Sequence, residues 1–147
     1  MSMTETGSEA DPIKHWEDLD WAVIEPLGIK LKIMAVEGGS PKGRPAIALI
    51  DYPPNFYFPA HEHDVPHIEL VMGGLQHVGG REERAGAVRW VPAHHVYGPL
   101  QMGPEGARIV EVFPDGDLPS IFGELADPEE LGPGAMEALM AQLNNLL

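Results

Sequence analysis

Three histidines within seven residues, His61, His63 and His67 in the stretch NFYFPAHEHDVPHIELVMGG (55–74), carry the densest chemistry in this chain. On an extended strand, residues two apart share a face, so His61 and His63 can aim both imidazoles at one point, as a pair of metal ligands would. Asp64, Val65 and Pro66 form a polar, proline-bearing break that can turn the chain and bring His67 back from a neighbouring strand. A lone histidine is more often a surface or hydrogen-bonded core residue than a ligand. Six of the seven histidines, however, lie between His61 and His95, which favours a shared site over unrelated placement.

Holding such a cluster calls for strands and tight turns. The 17 glycines and 15 prolines are spread along the chain, too many for a helix bundle, and favour short strands. From Trp21 the sequence reads as strand, turn at Pro26 to Gly28, then a strand in which Ile29, Leu31 and Ile33 alternate with Lys30 and Lys32. Residues 46–52 are almost wholly apolar, as in a strand covered on both sides. Ile68 to Met72 reads as a strand running into Gly73-Gly74, and Leu75 to Val78 as a further short one. Gly79-Gly80 opens a hairpin with a charged tip, Arg81 to Arg84, and Ala87 to Val91 is a strand ending at Pro92. MGPEG (102–106) reads as a turn before an alternating strand, Ala107 to Phe113. Trp16 and Trp21 are expected to be packing anchors, and Phe56, Tyr57, Phe58 and Trp90 core aromatics. His77 is expected on a surface hairpin and His94 at a rim.

At 147 residues the chain forms one domain with a real core. Residues 1–11 are polar and acidic without periodicity and read as a flexible tail; 12–130 read as the β-domain. Met136, Leu139, Met140, Leu143 and Leu147 recur at helical spacing, predicting an amphipathic C-terminal helix over 131–147. A formal charge of −14 with nine Lys and Arg argues against a nucleic-acid partner and an anionic membrane surface. No apolar run approaches the roughly 20 residues of a membrane span, and the N-terminus lacks signal-peptide character, so a soluble, cytoplasmic protein is expected. Zero cysteines remove disulfides, thiolate nucleophiles and cysteine zinc sites. No phosphate-binding glycine loop or nucleophile-elbow serine is present.

The histidine stretch and the segment some thirty residues later resemble the two motifs of the cupin superfamily, G-x5-H-x-H-x3/4-E-x6-G and G-x5-P-x-G-x2-H-x3-N. The first reads here as Asn55, His61, His63, His67 and Gly74 at that spacing, the second as Gly86, Pro92, His94, Tyr97 and Gln101. The resemblance implies an all-β, cupin-type jelly-roll barrel with the site inside it, followed by the short C-terminal helix. It departs from the pattern at five places, His94 and Gln101 among them, and three bear on the turn and the ligands. Asn55 stands for glycine, a mild change because Asn tolerates left-handed backbone. His67 stands for the glutamate ligand and Tyr97 for the last histidine ligand.

Two ligand arrangements stay open. In one, His95 replaces the missing histidine after a register shift. In the other, His61, His63 and His67 bind alone and Tyr97 serves as an acid, base or hydrogen-bond donor. Glu69, on the face of His67, is a further ligand, an orienting partner or a general base. The resemblance implies a metal-dependent enzyme acting on a small organic substrate, of dioxygenase type with Fe(II) favoured over Zn, Ni or Mn, or alternatively a binding or sensing cupin without catalysis. It also implies a homodimer.

Overall fold

The structure, a computed structural model, describes residues 13–25, 27–35, 45–114, 123–127, 130, 132, 134, 137–138 and 141–142. Period-two alternation builds nearly all of it. In chain order the strands are β1 (Ala22–Ile24), β2 (Ile29–Ala35), β3 (Ala46–Tyr52), β4 (Tyr57–Phe58), β5 (His61–Glu62), β6 (His67–Val78), β7 (Arg81–Arg84), β8 (Val88–Val91), β9 (Leu100–Phe113) and β10 (Glu124–Leu125), preceded by one 3-10 turn, Trp16–Asp18. The main sheet is antiparallel in the order β1-β2-β3-β9-β6-β7, with β4 on β9 and β8 on β6; β10 pairs separately with β5. The expected tail lies outside the described residues. So does most of the C-terminal segment: residues 137, 138, 141 and 142 have helical backbone, and a helix over 131–147 is not shown.

The long strands β6 and β9 differ from the sequence expectation, and the difference makes the fold. Gly73-Gly74 and MGPEG were expected to end strands, yet both lie within continuous ones of 12 and 14 residues. Register shifts between Val71 and Gly73 and between Gly74 and Gln76 absorb the irregular residues as bulges, which bend the pair and deepen its twist. Gly74 and Gly106 have φ of 74° and 75°, and a Cβ on Gly74 would meet the Gly106 carbonyl oxygen. Glycine here permits close backbone approach rather than ending a strand. Residues 81–84 likewise form a strand and not a hairpin tip, because Gly79-Gly80, both at positive φ, suffice as a two-residue turn pairing Val78 with Arg81.

Strand parity sorts the side chains. Ile24, Leu31, Val71, Met102 and Ile109 pack inside, as do Phe56 and Phe58. Two expected core aromatics do not: Tyr57 is 44% and Trp90 60% exposed. Pairing of β8 on β6 sets Trp90 beside Ile68 on the outer face and turns its neighbours Arg89 and Val91 inward. Outside the sheet, Trp21 anchors the N-terminal segment, with the Lys32 ammonium 4.6 Å and the Arg108 guanidinium 5.5 Å from its ring centre. The interior therefore has an apolar half and, along three adjacent strands, a polar row: Arg89 opposite Glu69 opposite Glu111.

Candidate metal centre

Each side chain of the centre is aimed by a pairing. β5 is held between β10 and an isolated bridge to Tyr97, in which the backbone N–H of His61 donates to Tyr97 at 3.0 Å and that of Tyr97 to His61 at 2.9 Å. The His94 N–H donates to the His63 carbonyl at 2.7 Å, fixing the next residue of that segment. His67 opens β6, beside Val91, and Glu69 follows two residues on along the same inner face. Asn55, at φ 57°, makes the left-handed turn that leads into the histidine stretch.

The three imidazoles do meet, and they meet at an oxygen. Tyr97 Oη lies 3.0 Å from His61 Nε2, 3.2 Å from His63 Nε2 and 3.3 Å from His67 Nε2. It is also 3.2 Å from Glu69 Oε1, which is 3.1 Å from His67 Nε2. Among the described residues, one group of three His or carboxylate ligand atoms lies mutually within 4.8 Å, that of His67, Glu69 and Glu111. All of these side chains are buried, His67 completely. Phe113 stacks on the His67 ring at 4.9 Å and Phe58 meets His61 edge-on at 5.0 Å, so apolar walls surround the polar atoms. His95, which a register shift would have brought in, is exposed, and the pairing of His61 with Tyr97 leaves it outside. His94 is exposed at the rim.

Tyr97 Oη and Glu69 Oε1 gather most of the hydrogen bonds of this cluster. His61 Nδ1–H donates to the Pro59 carbonyl at 3.0 Å, which leaves Nε2 with a lone pair facing Tyr97. Tyr97 has one proton for His61, His63 and Glu69, and His67 Nδ1 finds no partner. Burial lowers the pKa of His61 and keeps its ring neutral. Burial would raise Glu69, but the His67 hydrogen bond and the Arg89 charge outweigh it and hold the carboxyl low. Its partner Glu111 goes the other way, raised well above the carboxylate range by burial and then by the charge of Glu69. Burial, followed by Glu69 and Glu111, also keeps Tyr97 a phenol. Tyr97 is thus a proton donor here and Glu69 a carboxylate.

Neither Arg89 nor Glu111 belongs to the set expected from sequence. Arg89 binds Glu69 Oε2, reaches Glu83 at 3.1 Å through Nε, and lies 4.6 Å from the centre of the Tyr97 ring. The available signal was parity: in ARIVEVF the charged Glu111 shares the phase of Ile109 and Phe113, both 1% exposed. A carboxylate on the buried phase of a strand is rare without a partner.

No protein-family model matches the chain, and no curated protein matches it. Solved structures do. An acetylacetone dioxygenase from Acinetobacter johnsonii aligns with a TM-score of 0.58 over 97% of this chain and 99% of its own, at 15% identity. The polyketide cyclase RemF from Streptomyces resistomycificus gives 0.57 over 86% and 96%, at 22% identity. An RmlC-like cupin from Shewanella frigidimarina gives 0.57 over 72% and 92%, at 19% identity. Likeness at these identities is a likeness of fold. The bent antiparallel sheet is the fold of a small cupin.

Proposed function

We propose that this chain is a metal-dependent enzyme acting on a small organic molecule, of dioxygenase type, with a transition metal held around His67 and iron(II) favoured. The observation that carries the reading is the buried cluster of donor atoms. Imidazole nitrogens and a carboxylate oxygen lie within hydrogen-bond distance of one another between apolar walls, a donor set that a cation can bind. His67 is the residue common to the imidazole trio and to the group with Glu69 and Glu111. Carboxylate and imidazole donors suit iron(II) or manganese(II), and zinc and nickel are also accommodated by such donors. When bound, the metal supplies Lewis acidity and, as iron(II), reactivity toward dioxygen.

The protein's own groups have defined parts. Arg89 holds Glu69 by one oxygen and leaves the other facing His67 and Tyr97. Tyr97 carries the proton that can be given to a developing oxyanion, and Glu69 is held as a carboxylate beside it. Phe58 and Phe113 supply the dry walls that strengthen these interactions.

Elemental analysis of untagged protein after metal supplementation tests the reading. The native chain is expected to hold close to one equivalent and His67→Ala under about a tenth. Dioxygen uptake with a panel of small organic substrates follows, beginning with the acetylacetone for which the Acinetobacter protein is named. A second reading, a binding or sensing cupin without catalysis, draws on the Tyr97 hydroxyl standing where the imidazoles converge. Native protein holding less than about a tenth of an equivalent of any transition metal would establish it over the first.

A further inference from the structure

We propose that the metal is held not by the three imidazoles but by His67 together with the carboxylates of Glu69 and Glu111, an oxygen-rich site suited to manganese(II) or iron(II). This rests on the metal-dependent reading above and assigns its ligands. The imidazole alternative requires the point where His61, His63 and His67 converge, and Tyr97 Oη stands there, 3.0 to 3.3 Å from each Nε2. One step along the inner face, the ligand atoms of His67, Glu69 and Glu111 lie within 4.8 Å of one another, and all three side chains are buried.

The arrangement of Glu69 points the same way. Arg89 takes Oε2 and leaves Oε1 directed at His67, so the guanidinium orients the carboxylate without occupying the oxygen a metal needs. Arg89 is paired with Glu69, and Glu111, directly across β6 and β9, is the second interior carboxyl group of the row. A divalent cation bound there would take the place of the Glu111 proton. Glu111 lies outside both histidine motifs, so it is a ligand that motif matching does not find. Two carboxylates and one imidazole form a harder donor set than three imidazoles, and such sets favour manganese(II) and iron(II).

Titration of the metal-free full chain with manganese(II), read from the loss of the free-ion electron paramagnetic resonance signal, separates the ligand sets. Native protein is expected to take up about one equivalent, Glu111→Gln to bind at least about tenfold more weakly, and His61→Ala to stay within about threefold of native. An anomalous map of a native crystal at the manganese edge makes the test independent of how the variants fold. A peak about 2.0–2.2 Å from a Glu111 carboxylate oxygen supports the assignment. A peak ligated by His61 and His63 with Glu111 remote overturns it, as does uptake lost in His61→Ala and retained in Glu111→Gln. Either result leaves the metal-dependent reading standing. Absence of uptake by native protein overturns both.

Discussion

Glu69 and Glu111 face each other as paired residues of adjacent strands in the interior, and their acidities are driven in opposite directions. Two carboxylates this close do not both ionise readily. Arg89 and His67 stabilise the charge on Glu69, while Glu111, for which no ion pair is formed among the described residues, is pushed toward its protonated form by burial and by Glu69, to which it hydrogen-bonds. Environments that push two carboxyl groups apart are a common basis for dividing acid and base roles.

For metal-free protein this pair sets the pH profile of stability. Glu69, down to about 2 when folded, contributes stability that is present above its unfolded value and lost as pH falls toward about 2. Glu111, raised when folded, contributes stability that is present below its unfolded value and lost as pH rises through the folded one. Glu111→Gln removes the second contribution. The variant is therefore expected to lose less stability than native protein between pH 5 and 8. Urea midpoints across that range check it; parallel curves for the two proteins would contradict the pairing.

Replacing Arg89 by Met is expected to cost about 2–3 kcal/mol at pH 7, because it leaves the Glu69 charge buried without its cation. The loss should shrink on acidification, as Glu69 takes up a proton instead. Chemical denaturation at pH 7 and pH 4 measures both. A change under about 0.5 kcal/mol at pH 7 would show that the ion pair is not formed in solution.

Tyr97→Phe removes the hydroxyl shared by three imidazoles and Glu69. In metal-free protein the stranded lone pair of His61 is expected to cost about 1–3 kcal/mol. A thermal melt at fixed pH detects this, since about 1 kcal/mol moves the midpoint by roughly 2–4 °C in a chain of this size.

Asn55 tests the turn that delivers the histidine stretch. Its φ of 57° predicts that Asn55→Gly stays within about 0.5 kcal/mol of native, while Asn55→Val costs about 1–2 kcal/mol. Denaturation midpoints of the pair decide; equal values would mean that this backbone conformation is not kept.

The sequence by itself determined the mostly antiparallel β character and the placement of most strands, because these follow from local alternation, and it set His61, His63 and His67 in one short stretch. It also allowed the left-handed backbone found at Asn55, which asparagine tolerates. Only the tertiary structure decided what shares the interior with the histidines. Glu111 is 42 positions beyond Glu69 and Arg89 is 20, and they become neighbours through strand registers that no single segment specifies. The same dependence reversed the expectation for Trp90, since one residue of parity separates the core from the outer face. The bulges at Gly74 and Gly106 lay beyond local reading for a related reason. A glycine that ends a strand and one that bends it look alike until the opposing backbone is in place.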